Sequence, residues 1–129
     1  MTSLVSIPSL AAVPTIREVV QALSRRSGVD AVLVVGRDGL PIDSHIANGV
    51  DGDSVAALLP SVISGMTQLG QAAGRGDFGT GVLEFGSGLA VVSVLNADAL
   101  LVVLVSPSTN VGGLLYDLRR HRSAIAGLL

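Results

Sequence analysis

Apolar residues recur at helical spacing in three stretches of this chain and crowd into short runs between them. Ile16, Val19, Val20 and Leu23 fall at i, i+3, i+4 and i+7, the apolar stripe of a first helix. Thr15 and Glu18 form a T-x-x-E capping box, in which each side chain can bond the other residue's free backbone N–H. The same reading puts Arg25 and Arg26 in the last turn, at the negative end of the helix dipole. Gly28 is then free to adopt the left-handed conformation that ends a helix. Strands follow at 30–36 and 39–45. Between them "RDG" (37–39) supplies the Asp-Gly of a primed hairpin turn, whose two central residues both need positive φ.

A second helix is predicted over 54–73, with Asp53 or Ser54 as N-cap. Pro60 lies past its first turn and should kink it or delay its regular part. Strands come next near 79–85, 88–95 and 99–105, then a helix over 111–128 that begins after Asn110 as N-cap. Val111, Leu114, Leu115, Leu118, Ile125 and Leu128 make the stripe of that last helix. The order α-β-β-α-β-β-β-α, with short turns between strands, predicts an α/β (α+β) domain. Its core is a five-stranded antiparallel sheet with helices on both faces. "ALLVVLV" (99–105) has no polar position and should be central, buried on both faces. "TGVLEF" (80–85) is mixed and glycine-flanked, as an edge strand is. Residues 1–12 read as a flexible N-terminal arm and 13–129 as one domain.

The second helix is the unusual element. From Ser54 to Gly74 there is no charge in 21 residues. Val55, Leu58, Leu59, Val62, Ile63, Met66, Leu69, Gly70 and Ala73 fill an arc of roughly 140°, wider than the ~100° stripe that covers a sheet. The opposite side carries Ser61, Ser64, Thr67 and Gln68 with Ala57 and Ala72, all small or neutral. A helix facing only water normally shows Lys, Glu or Arg there. This one is expected to meet other protein on more than its sheet side.

Composition points the same way. Of the 129 residues 49% are hydrophobic and 14% charged, against about 25% charged in soluble domains, so part of the surface is expected to lie under a partner. A net charge of −2 with only three aromatic residues leaves neither a basic footprint nor a stacking platform for nucleic acid. Cysteine is absent, which removes disulfides and thiol zinc sites. The start, "MTSLVSIPSLAAVPT", lacks the basic and long apolar regions of a signal peptide. Asn96 and Asp98 break the apolar run 89–105 before it reaches the ~20 residues of a membrane span. A cytoplasmic protein without membrane insertion is the expectation. Eight Arg and no Lys suit a GC-rich bacterial genome.

Candidate chemistry is sparse. "GRGDFG" (74–79) satisfies G-x-G-x-x-G, but that fingerprint works between a strand and a helix N-terminus, and here it runs from helix to strand. His45 and His121 are the only imidazoles, and the Asp117–His121 spacing reads as a solvated surface contact. Asp43, Asp51 and Asp53 lack EF-hand spacing. Gly112-Gly113 reads as close helix–sheet packing. No cofactor, no metal and no catalytic residue is expected, and no GTP hydrolysis by the chain alone.

The residues "GVDAVLVVGRDGLPIDS" (28–44) and "ALLVVLVSPSTNVGGLLYDLRR" (99–120), with the element order, resemble the Roadblock family of dynein light-chain type. Its bacterial members include MglB-like regulators of MglA-type small GTPases. The resemblance covers residues 14–128 and implies a profilin-like sheet. It also implies a homodimer that binds and regulates a small Ras-like GTPase, as an activating or tethering partner and without catalysis of its own. Relatives dimerise by pairing the strand equivalent to 80–85, whose edge no Lys or Pro guards here, with two second helices side by side. Leu59, Ile63, Met66, Gly70, Thr80, Val82 and Glu84 are assigned to that interface. Ser61, Ser64, Thr67, Gln68 and Gln71, with Arg75 at the rim, are assigned to the GTPase, because small neutral side chains cost little to desolvate. The resemblance implies no inserted arginine finger. The alternative is a small-ligand or sensor domain on the same sheet, without a GTPase.

Overall fold

The computed structural model of the chain describes residues 15–47 and 49–129; the arm 1–12 lies outside the described residues. Eight elements follow in the expected order: α1 (Ile16–Ser24), β1 (Val29–Gly36), β2 (Pro41–Ile46), α2 (Gly52–Ala72), β3 (Thr80–Phe85), β4 (Gly88–Val94), β5 (Ala99–Val105) and α3 (Val111–Ala126). The strands form one sheet in the order β2-β1-β5-β4-β3, every neighbouring pair antiparallel. The all-apolar β5 is central and the mixed β3 is an edge, as their compositions require. β2 is the other edge.

Period-two alternation divides the interior into two layers. Val32, Val34, Val91, Leu101 and Val103 face α1 and α3, where Leu23, Leu114, Leu118 and Ile125 meet them. Ala31, Leu33, Val35, Val92, Leu100 and Val102 face α2, which contributes Ala56, Leu59 and Ile63. Burying a Leu or Ile contributes about 1.5–3 kcal/mol, so Leu59 and Ile63 carry most of the attachment of α2 to the sheet.

Several local expectations change. Helix α1 stops at Ser24, with Arg25 as its C-cap, so neither Arg25 nor Arg26 sits in the last turn. The capping box is one-sided: Glu18 N–H donates to Thr15 Oγ1 at 3.3 Å, and the Thr15 hydroxyl donates to Glu18 Oε1 at 3.1 Å. Gly28 has φ +86°, yet it serves the entry to β1 rather than the helix end. A Cβ there would collide with Thr109 Oγ1, so the close approach of the β5–α3 loop also demands glycine. The β1–β2 turn is not primed. Gly39 alone is left-handed, at φ +83°, and closes a three-residue loop through Gly39 N–H to Gly36 O at 2.9 Å. Asp38 stays out of positive φ, its Oδ1 accepting Leu40 N–H at 3.0 Å.

Helix α2 begins earlier than predicted because Asp51, not Asp53 or Ser54, is the N-cap. Its carboxylate accepts both Ser54 N–H (3.2 Å) and the Ser54 hydroxyl (2.6 Å). Those bonds to the charged form hold the Asp51 carboxyl below the usual range. The helix then runs through Pro60 without interruption. The buried Leu59 and Ile63 anchor the chain to the sheet on either side of that proline. In α3, Asn110 caps as expected, accepting Gly112 N–H at 3.0 Å. Asp117 does not make a solvated contact with His121: it is 2% exposed and pairs with Arg26 at 2.9 Å.

Candidate interaction surface

The register of β3 sorts its side chains between the two layers. Thr80, Val82 and Glu84 lie opposite Ser93, Val91 and Leu89, on the α1/α3 face. Gly81, Leu83 and Phe85 lie opposite Val92, Ala90 and Gly88, on the α2 face. The loop 73–79 carries the chain from the end of α2 to the start of β3, and Met66, Leu69 and Ala73 line one cleft together with Phe78 and Gly79. The apolar side of α2 that the sheet does not cover therefore borders this edge. Leu58 and Leu69 on α2 are each 64% exposed and Phe85 on β3 is 60% exposed.

The residues assigned to a dimer interface divide accordingly. Leu59 and Ile63 are buried against the sheet within one chain and act as supports for α2 rather than as surface. Met66 and Gly70 are half-buried on the side facing the 74–79 loop. Thr80 is tied down by Ser93 Oγ (2.9 Å) and receives a bond from Arg122 Nη1 (3.2 Å). Val82 and Glu84 are exposed, on the face of the sheet away from α2. Sequence reasoning did not name Leu58, Leu69, Leu83 or Phe85 for this interface. Leu58 and Leu69 were inside the 140° arc, at the end roughly 100° away from Leu59, and the excess of that arc over what a sheet needs was the signal for them. Leu83 and Phe85 follow only from the register.

The outer side of α2 gathers Ser61, Ser64, Gln68 and Gln71 within an arc of about 80°, all exposed. Gln68 Nε2 donates to Ser64 Oγ at 3.2 Å and Gln71 Nε2 to Asp77 Oδ1 at 3.0 Å, so two of the amides are oriented. Arg75 is exposed just beyond. Thr67 is set apart from this group, half-buried in a cleft with Phe78 and Val94.

The "GRGDFG" segment is a return loop. Gly74 and Gly76 adopt φ +69° and +80°, and Arg75 N–H donates to Gly70 O at 2.7 Å. No helix N-terminus follows it, so the free N–H groups that cradle a phosphate are missing from this geometry. The loop presses on the helix: a Cβ at Gly70 would stand 2.5 Å from Gly76 O. Gly70→Ala should gain up to about 1 kcal/mol of helix propensity and still lose stability, because backbone rather than a flexible side chain must move. Faster limited proteolysis within 74–79 and a lower melting temperature are the expected readouts.

Two of the candidate carboxylates are engaged in structure. Asp43 pairs with Arg17 at 3.2 Å and Asp51 caps α2. His45 lies on β2 and His121 on α3, on separate elements. Among the described residues no group of three or more His, Cys, Asp or Glu could hold a metal. No helix among them is long and apolar enough to cross a membrane.

A five-stranded antiparallel sheet with two helices on one face, one on the other, and an edge strand bordered by uncovered apolar helix surface defines a small α/β domain suited to association with protein. The chain belongs to the Roadblock/LC7 domain family, which matches residues 15–105. Two uncharacterised proteins of Methanocaldococcus jannaschii are each 26% identical over 113 residues, covering 88% of this chain and 98% of theirs. Among solved structures, MglB of Myxococcus xanthus superposes with a TM-score of 0.78 at 19% identity, over 88% of this chain and 93% of that one. The gliding protein MglB of Thermus thermophilus gives 0.76 at 20% identity, over 88% and 87%. A Roadblock/LC7 domain from Streptomyces avermitilis gives 0.69 at 24% identity, over 88% and 96%. These likenesses establish the fold.

Proposed function

We propose that this chain is a non-catalytic protein-interaction module that forms a homodimer through β3 and α2, and that the paired α2 helices bind and regulate a small Ras-like GTPase of MglA type. The observation that carries the reading is α2 itself. From Ser54 through its end to Gly74 it carries no charge over 21 residues, with uncovered Leu58 and Leu69 on one side and an oriented face of neutral Ser61, Ser64, Gln68 and Gln71 on the other. A partner's switch region can approach such a face without stranding buried charge. Arg75 stands at its rim.

Regulation then works through the partner's own residues, with this chain as an activating or tethering surface in the bacterial cytoplasm. The space between α2 and the sheet is filled by Ala56, Leu59 and Ile63, which supports a surface function over a ligand cavity at that place. The superposition on MglB folds supports the same reading.

The test mixes the purified chain with the GTP-loaded MglA-type GTPase of its own host and follows complex formation by calorimetry. Ser64→Glu combined with Gln68→Glu puts two charges on exposed positions of the neutral face. The fold should be unchanged, and affinity should fall at least about a hundredfold. Native affinity in that double variant would place the interface elsewhere.

A further inference from the structure

The α1/α3 side of the sheet, opposite α2, carries a different kind of surface. Helix α3 contains "RRHR" at 119–122, three of the eight arginines of the chain in four positions. Tyr116, Arg119, Arg120 and Ser123 are all exposed and fall within about 100° of one another around the helix. Tyr116 is 59% exposed, the only tyrosine of the chain. Arg120 Nη1 donates to its hydroxyl at 3.4 Å, which sets a guanidinium beside the ring.

This positive charge is not neutralised locally. The one acid on α3, Asp117, is buried and faces Arg26. Positions three and four away from Arg119 and Arg120 hold no other carboxylate, so the usual helical ion pair cannot form. Of the other acids on that side, Glu18 bonds Thr15 and Asp43 pairs with Arg17, while Glu84, exposed on β3, forms no ion pair with either arginine among the described residues. Arg122 is pinned across to β3 by a hydroxyl, Thr80 Oγ1, and not by an anion. Exposed Tyr and Arg side by side on a rigid helix are also the residue types that dominate binding energy where proteins meet.

We propose that the Tyr116–Arg119–Arg120 face of α3 docks an acidic segment of a second protein, so that the module joins two partners on opposite faces of its sheet. Charge complementarity identifies the occupant. Guanidinium forks grip carboxylates in bidentate fashion, and Tyr116 supplies an apolar ring for a neighbouring side chain. An anionic membrane is the weaker fit, since lipid-directed patches carry about 4–8 basic residues and the chain as a whole is at −2. The inference does not depend on the identity of the partner at α2.

The probe is a short fluorescein-labelled peptide of Glu-Glu-Leu repeats, with its Gln-Gln-Leu counterpart as control, titrated against the full chain and followed by anisotropy. Wild type should bind the acidic peptide, lose it as salt is raised, and ignore the neutral one. Arg119→Glu with Arg120→Glu should weaken binding at least about tenfold, and Tyr116→Ala should weaken it by less. Circular dichroism melts of both variants should match wild type, because the three residues are solvent-facing. Ser64→Glu with Gln68→Glu should leave peptide affinity unchanged, so failure at α2 and failure at α3 are read separately. Absence of acidic-peptide binding, equal binding by the charge-reversed variant, or binding to phosphatidylserine vesicles in place of the peptide would each overturn the proposal.

Discussion

Asp117→Ala is expected to cost about 3–5 kcal/mol, the penalty for removing one partner of a buried ion pair. The carboxylate is 2% exposed and its arginine partner, Arg26, has a side chain only 15% exposed at 2.9 Å. Truncation leaves a guanidinium largely cut off from water with its strongest acceptor gone. Against a total stability of about 5–15 kcal/mol for a domain of this size, the loss is large, and the melting temperature should fall by roughly 12–25 °C. The pair also ties the α1–β1 junction to α3, so the change acts on the whole α1/α3 layer. Replacing both partners, Arg26→Met with Asp117→Leu, removes the desolvation cost together with the attraction and should recover most of the loss or exceed wild type. A fall of only a few degrees in the single variant would mean that water reaches the pair.

The second large effect concerns self-association. Leu58→Asp with Leu69→Asp alters two side chains that are 64% exposed in the single chain, so monomer stability should stay within about 0.5 kcal/mol per site. In a dimer joined along α2 and β3 the same positions are buried four times over, twice in each copy. Burial of a Leu contributes about 1.5–3 kcal/mol, and charge replaces it. The dissociation constant of the dimer should rise by at least about a hundredfold, seen as monomer by sedimentation equilibrium with an unchanged melting curve at low concentration. A wild-type chain that sediments as a monomer, or a variant that still dimerises normally, would remove the pairing of α2 and β3 from the proposed function.

Much of this was legible in the chain because local chemistry repeats the tertiary outcome. "ALLVVLV" without a polar position can be satisfied only in the middle of a covered sheet, and β5 is there. Asn110 followed by the stripe of α3, and the continuous apolar run of β1, needed no knowledge of the rest. Element ends were less certain where two residues could do the same work. Asp51, Asp53 and Ser54 can all cap a helix, and the choice fell to Asp51 because its two oxygens reach both the N–H and the hydroxyl of Ser54. Likewise Asp-Gly serves a primed turn or a three-residue loop, and the Asp38 bond to Leu40 N–H selected the latter.

The interaction surfaces depended on information of another kind. The sequence by itself determined that α2 carries no charge from Ser54 onward and is too apolar for one sheet face, since composition and helical period are properties of the segment alone. Only the tertiary structure decided which part of that arc is used up. Leu59 and Ile63 go inward while Leu58, one step away in sequence, and Leu69, three turns beyond Leu58 on the same side, remain outside. The register with β4 decided that Phe85, and not Val82, shares a face with α2. It was likewise the fold that carried Arg26 to Asp117, 91 residues apart, and so took from Arg120 the one acid within a helical turn of it. Spacing along a chain reports neighbours within one element, whereas burial and charge pairing are settled between elements that meet only once the sheet has formed.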